Sequence, residues 1–382
     1  MLERGLTRSE VLVLLRRILQ NDFTYGSGRI LGSMCTNPPE LAKTVYRACI
    51  EKNLGDPDLF PGVAELEEEV VEMMGALLSN PSASGQIVSG GTEANILALW
   101  AARNLAKKER PEVIIPLSAH FSFDKAADLL GLRLVKVRLN KQFQVDVKAV
   151  EEAITDQTIA IVGSVGTTEL GAVDSIAQLS EIALQHSLYL HVDAAFGGFI
   201  IPFLKDLDYD APDFDFKLSG VSSITMDPHK MGLAPIPAGG ILFRDNVIPR
   251  AIGTRVPYLL EGKSLQACIV GTRSGASVAA TWSILKHLGR NGFRKIVGKC
   301  MRLTQNLVEG VQGLRHMRVV AQPTMNIVGL TSKNFKAKSF AAKLRKRGWA
   351  VTPFTNHVRI VLMPHLRPID IAEFLEDLRE TL

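Results

Sequence analysis

Residues 188–198 read LYLHVDAAFGG and residues 222–230 read SSITMDPHK. Each stretch opens on a short, β-branched, apolar run and closes on a charged or polar cluster that contains Asp193 in the first case and Lys230 in the second. Runs of this length and composition predict buried strands. The same texture recurs at residues 113–120 (VIIPLSAH), 132–139, 158–168 and 239–245, with helical patterns at 92–105 and 175–185 between several of them. Strand–helix alternation predicts an α/β domain on a mostly parallel sheet. Ligands bind such sheets at the carboxyl ends of the strands, which is where Asp193 and Lys230 are expected.

Beyond about Gly271 the pattern changes. A long helix is predicted over 276–311, then strands near 325–331, 349–354 and 358–363, with helices near 339–347 and 368–382. This order predicts a small C-terminal α+β domain. The expected partition is an N-terminal helical segment (1–50), a large α/β domain (51–271), and the long helix with the small domain (272–382). The N-terminal stretch, broken by charges, predicts an amphipathic surface helix and not a secretory signal.

The 382 residues are 46% hydrophobic and 22% charged with a net charge of +5, an ordinary globular mix that excludes disordered and fibrous classes. The basic run from Lys333 to Arg347 alternates with Phe335, Phe340, Ala341 and Leu344, as a solvated helix face does. No nucleic-acid partner is expected. No apolar run approaches the ~20 residues that span a bilayer, so no membrane partner is expected either. The four cysteines, Cys35, Cys49, Cys268 and Cys300, lack metal-site spacing and read as free thiols of a cytoplasmic protein.

A buried lysine tends to lose its proton and become a nucleophile toward carbonyl carbon. A buried carboxylate opposite it can hold a protonated pyridine nitrogen. Pyridoxal phosphate uses both groups, although an isolated Lys–Asp pair is also what a structural salt bridge needs. SGGTEAN (89–95) adds glycines and a helix N-terminus, suited to phosphate but also to an ordinary cap. His120, at the end of another strand, can stack on a ring, and Ala195 is small enough to let the opposite face pack closely.

Taken together, SGGTEAN, AHFSF (119–123), GTTELGAVD (166–174), HVDAAFGG and DPHK resemble the pyridoxal-phosphate-dependent group II amino-acid decarboxylases. Within them the chain is most similar to the archaeal tyrosine/aspartate decarboxylases, helped by GSMCTN (32–37), NLGDPDLFPG (53–62) and VRIVLMPH (358–365). The resemblance implies the aspartate-aminotransferase-like fold (fold type I) and a homodimer with shared sites. It implies that Lys230 carries the cofactor, Asp193 pairs with the ring nitrogen, and His120 stacks above the ring with Ala195 beneath. Gly91, Thr92 and His229 would hold the phosphate, Thr167 would lie near the ring, and Thr272 in Gly271-Thr272-Arg273 would reach the neighbouring subunit's phosphate. Ser33 and Asn53 would touch the substrate. No metal is implied.

The implied reaction releases CO2 from L-aspartate, giving β-alanine (a coenzyme A precursor), from L-tyrosine, giving tyramine (a methanofuran precursor), or from both, with L-glutamate a poor substrate. Arg29, Arg255 and Arg359 are candidate carboxylate forks by chemistry, with Arg359 favoured by its place in a predicted strand. Residues 261–270 lack the tyrosine of the long mobile loop in animal relatives. His120 or Lys230 is therefore the expected proton donor to Cα, with reduced loop gating. Other readings are an aminotransferase or a carbon–carbon lyase of the sphingosine-phosphate type on the same cofactor, and a metal site built from His120, His191, Asp193 and His229.

Overall fold

The computed structural model describes residues 1, 3–257, 259, 265–333 and 336–381. Its helices are α1 (Arg8–Leu19), α2 (Glu40–Ala48), α3 (Pro61–Leu77), α4 (Gly91–Ala106), α5 (Ser122–Leu130), α6 (Val147–Glu152), α7 (Ile176–Gln185), α8 (Ile201–Lys205), α9 (Gly275–Gln312), α10 (Ala337–Lys346) and α11 (Pro368–Thr381).

The large sheet holds β1 (Ser84–Val88), β2 (Glu112–Pro116), β3 (Arg133–Val137), β4 (Thr158–Ser164), β5 (Tyr189–Asp193), β6 (Val221–Thr225) and β7 (Gly239–Phe243), in the order β1-β7-β6-β5-β4-β2-β3. Strand β7 is antiparallel to both neighbours, and every other pairing is parallel. Helices cover both faces, so β2, β4 and β7 are buried along their whole length. That is why they read as near-continuous apolar runs and not as alternating ones. Strands β8 (Thr254–Arg255) and β9 (Leu265–Gln266) form a separate ribbon.

The second sheet is antiparallel: β10 (Arg318–Val319), β11 (Ile327–Thr331), β12 (Thr352–Pro353) and β13 (Val358–Val361), in the order β10-β11-β13-β12. Trp349, Phe340 and Phe374 fill its core beside Leu307 and Val311 of α9. Helix α10 buries Ala337, Phe340, Ala341 and Leu344 and leaves its basic residues outside, as its pattern predicts.

The strands are shorter than the apolar runs that mark them. The run at 113–120 leaves the sheet after Pro116 and closes a turn through the Ala119 N–H to the Pro116 carbonyl (3.0 Å). Strand β6 stops at Thr225, so Lys230 stands in a turn beyond the strand and does not end it. Strand β1 was not legible, since SGQIV is only partly buried and shows no alternation. Helix α9 is kinked at Gly289, whose φ of 53° is open to glycine at little cost. Helix α1 is held by a Thr7–Glu10 capping box and buries none of its residues. Among the described residues no helix is long and apolar enough to cross a membrane.

Candidate active site

Five strands of the large sheet deliver residues to one edge. The segment after β1 brings Gly91 and Thr92, that after β2 brings His120, and that after β4 brings Thr167. Strand β5 and its turn bring Asp193 and Ala195, and the turn after β6 brings His229 and Lys230. All eight line a single cavity of about 340 Å³, the size of a small-ligand pocket.

Asp193 is held from two sides. Asn95 Nδ2 donates to its Oδ2 (3.0 Å), and the Ala195 N–H donates to its Oδ1 (3.2 Å). A carboxylate only accepts, so the amide group facing it is the NH2. Asn95 Oδ1 therefore turns inward, where it accepts from Thr225 Oγ1 (2.7 Å) and from His191 Nε2 (3.0 Å). His191 Nδ1 then accepts from Ser223 Oγ (2.8 Å). Burial pulls the His191 pKa from 6.5 to about 4, despite the opposing pull of Asp193, so the ring is neutral at pH 7. Both ring nitrogens are engaged inside the core, which removes His191 from any metal site facing the cavity.

Lys230 departs from expectation. Burial pulls its pKa down, but Asp227 and Asp193 outweigh burial, and the net direction is up. Its Nζ lies 3.0 Å from Asp227 Oδ2. The ammonium form is therefore favoured, the opposite of what burial alone predicts. His229 Nδ1 accepts from the Ala238 N–H (3.2 Å), leaving Nε2 to carry its proton toward Asp227 Oδ2, 3.7 Å away. Burial keeps the His229 pKa below its ordinary value.

The loop into α4 is shaped for close approach. A Cβ on Gly239 would fall 2.4 Å from Gly90 Cα, and one on Gly91 would fall 2.8 Å from Asp227 Oδ2. No side chain caps the start of α4. Glu93 instead reaches back to accept from the Ser89 N–H (2.8 Å) and Oγ (2.6 Å). The first-turn amides of α4 are left for an anion.

His120 Nδ1 accepts from the Ser122 N–H (3.3 Å), which leaves its Nε2 to carry the proton. Burial lowers its pKa more than Asp193 raises it. Thr167 Oγ1 accepts from the Ala172 N–H (3.0 Å), closing the loop after β4 while its own hydrogen stays free to donate.

Four expected site residues do not line the cavity. Ser33 Oγ takes the Cys35 N–H (3.0 Å) and contacts Tyr25, and Asn53 Oδ1 takes the Gly55 N–H (3.0 Å), so both stabilise local turns. Thr272 is exposed beside Gly55, and its neighbour Arg273 is committed to Glu67 and the Ile87 carbonyl (2.6 Å) in the same chain. Arg359, on β13, is buried and donates to the carbonyls of Thr168 (2.7 Å) and Gly32 (2.6 Å). Burial pulls its pKa down to about 10, so it stays charged at neutral pH. Arg29 is not a free fork. It pairs with Glu373 (2.7 Å) and stacks on Trp349 (4.1 Å). Arg255 is exposed on β8. Of the segment expected to gate the site, residues 261–264 lie outside the described residues, as do Tyr258 and Leu260 before it.

The structure adds Asn95, Ser118, Ser164 and Asp227 to the cavity wall. Asn95 stands one turn into α4, on the face that α4 turns to β5, and its place in SGGTEAN was its only sequence signal. Asp227 was visible three residues before Lys230, a spacing that a turn brings together.

These residues fit pyridoxal 5'-phosphate. The Asp193 oxygens each keep capacity for a ring N–H, and uncapped α4 amides stand near Thr92 and His229. Ser118 Oγ is buried in the wall with no hydrogen-bond partner among the described residues. Lys230 faces the same space.

Residues 33–333 match the family model described as the pyridoxal-dependent decarboxylase conserved domain. The chain is 53% identical over 357 residues (93% of this chain, 98% of the other) to a protein of Methanothermobacter thermautotrophicus named probable L-tyrosine/L-aspartate decarboxylase. It is 52% identical over 378 residues (99% and 98%) to one of Pyrococcus horikoshii named L-aspartate/L-glutamate decarboxylase. Among solved structures, the sphingosine-1-phosphate lyase of Burkholderia pseudomallei superimposes with a TM-score of 0.93 at 31% identity, covering 100% of this chain and 92% of that one.

Proposed function

The chain belongs to the pyridoxal-dependent decarboxylase family and is a pyridoxal 5'-phosphate-dependent amino-acid decarboxylase of fold type I, and on that premise we propose that its substrate is L-aspartate, with L-tyrosine as a second substrate. Aspartate is common to the names of both relatives. The first product would be β-alanine, for coenzyme A, and the second tyramine, for methanofuran. The Pyrococcus horikoshii relative carries glutamate in its name, so L-glutamate is a further candidate substrate.

When bound, pyridoxal 5'-phosphate supplies the electron sink into which a Cα–carboxylate bond can break. The protein orients and places charge. Lys230 holds the cofactor covalently. Asp193 keeps negative charge at the ring nitrogen, and Asn95 and the Ala195 N–H fix its direction. His120 would cover one face of the ring and Ala195 the other. The α4 amides at Gly91 and Thr92, with His229, hold the phosphate, and Thr167 donates from the loop after β4. Arg359, buried behind the Thr168 wall of the cavity, would anchor a substrate carboxylate through an Nε that has no partner among the described residues. The Cα proton comes from His120 Nε2 or Lys230 Nζ.

The proposal includes a cytoplasmic homodimer with shared sites. Helix α1 supports the dimer because it leaves Val11, Val13, Leu15 and Ile18 in water, an arrangement that calls for a partner surface. Ile269 and Val270 are likewise exposed beside Thr272, which would reach the partner's phosphate. Cys35, Cys49, Cys268 and Cys300 are free thiols, as a reducing compartment keeps them.

The observation that carries the function is the convergence of Asp193 and Lys230 on one cavity. Assay of the purified enzyme with L-aspartate, L-tyrosine and L-glutamate, scoring CO2 and amine, tests it. Release of CO2 with β-alanine is expected. The likeness to a sphingosine-1-phosphate lyase favours a second reading, carbon–carbon cleavage. An aldehyde product without CO2 would establish that reading in place of decarboxylation.

A further inference from the structure

Asp227 is 1% exposed, yet it lines the cavity. Among the described residues, neither of its oxygens accepts an aligned hydrogen bond. Its near neighbours are Lys230 Nζ at 3.0 Å, His229 Nε2 at 3.7 Å and the first residue of α4, where a Cβ on Gly91 would come within 2.8 Å of Oδ2. A buried carboxylate is costly unless it is paired, and this one, with Lys230 as its close partner, stands at the helix end that binds phosphate. A carboxylate there would repel a phosphate. A carboxylic acid would not, and it could donate a hydrogen bond.

Lys230 poses the complementary problem. An ammonium cannot attack carbonyl carbon, so it must lose one proton before it can hold the cofactor. The groups that face it are few. His229 and His120 have their Nδ1 lone pairs occupied by backbone N–H groups and carry protons on Nε2. The Cys35 thiol is pushed up by burial and stays protonated. Asp193 is bound on both oxygens by Asn95 and the Ala195 N–H. Asp193 keeps lone pairs for the ring nitrogen, and of these groups Asp227 is the one whose oxygen lies within hydrogen-bond distance of Nζ, at 3.0 Å.

We propose that Asp227 is the proton-exchange partner of Lys230. The proton passes from Nζ to Oδ2, leaving Asp227 as a neutral acid beside the phosphate and the nitrogen its lone pair for the carbonyl carbon, whose oxygen leaves as water with the two remaining Nζ hydrogens. It returns when Lys230 is released. This deepens the assignment of Lys230 as the cofactor lysine and rests on it.

Two measurements on full-length protein stripped of cofactor test the proposal. Competitive labelling with trace acetic anhydride, read by mass spectrometry across pH, reports the charge of Lys230. Lys230 of the wild type should label as a lysine protonated beyond the ordinary range. Asp227→Asn should label at least about tenfold faster at the same pH, a shift of one unit or more, and Asp227→Glu should restore slow labelling. Infrared difference spectra recorded on adding pyridoxal 5'-phosphate should show a new carboxylic-acid band in the wild type that shifts in heavy water. A wild-type Lys230 that labels as a neutral amine, or loading without that band, overturns the proposal, and neither result depends on a variant folding. If pyridoxal 5'-phosphate develops no visible absorbance on the protein, the cofactor-lysine assignment itself fails. Normal absorbance with no sign of Asp227 sinks only the proton exchange.

Discussion

Asn95 Nδ2 stands 3.0 Å from Asp193 Oδ2, and that contact sets the orientation of every group behind it. Asn95 Oδ1 must face His191, His191 must carry its proton on Nε2, and Ser223 must donate to Nδ1. Replacing Asn95 with Ala removes a charge-assisted hydrogen bond worth roughly 1.5–3 kcal/mol, so kcat should fall by about 10- to 100-fold with the cofactor retained. Steady-state kinetics with L-aspartate measures this. An unchanged kcat would mean that Asp193 is positioned without Asn95.

Asp193→Asn should bind the cofactor and lose kcat by several powers of ten. A neutral amide cannot hold a pyridine nitrogen protonated, so the electron sink is weakened. Absorbance titration gives the binding, and CO2 release gives the rate. A variant within tenfold of wild type would remove Asp193 from the ring nitrogen.

His191 makes stability depend on pH. Its folded pKa is lowered from 6.5 to about 4 by burial. As pH falls below about 6.5 the unfolded chain takes a proton that the folded chain refuses. Stability is therefore present above that value and drains away down to about pH 4, by on the order of 3 kcal/mol in all. Buried Asp174 acts with the opposite sign, because its pKa is raised to about 6. The difference between wild type and His191→Gln isolates the histidine. Denaturant unfolding at pH 7, 5 and 4 should show that difference shrinking as pH falls, whereas a constant difference would mean that His191 titrates normally.

Placing a charge on the exposed apolar face of α1 should break the proposed dimer and spare the fold. Val13 and Ile18 are 59% and 72% exposed, and α1 buries nothing within its own chain. The double variant Val13→Glu/Ile18→Glu should sediment as one chain with an unchanged far-ultraviolet spectrum. If it stays dimeric at low micromolar concentration, α1 is not part of the contact.

The large sheet was legible because β2, β4 and β5 are buried by helices on both sides, and such strands must be written in apolar residues. The site was legible where a reactive side chain ends such a strand or follows it closely, as at Asp193 and His120. Contacts between distant segments were not legible. Asn95 meets Asp193 across 98 positions, and no local pattern encodes that meeting. Ser33 and Asn53 each bond a backbone N–H two residues ahead, a local use that short polar side chains favour, and neither lines the cavity. Burial alone would favour a neutral Lys230, but the carboxylate of Asp227, which a turn brings beside it, reverses the direction.

The most direct test of the site is to load the enzyme with pyridoxal 5'-phosphate, reduce it with borohydride, digest it and locate the cofactor by mass spectrometry. The cofactor should be fixed on the peptide containing Lys230, one per chain, and Lys230→Ala should trap none and release no CO2 from L-aspartate. Cofactor trapped on another lysine, or retained by Lys230→Ala with turnover intact, would contradict the assignment.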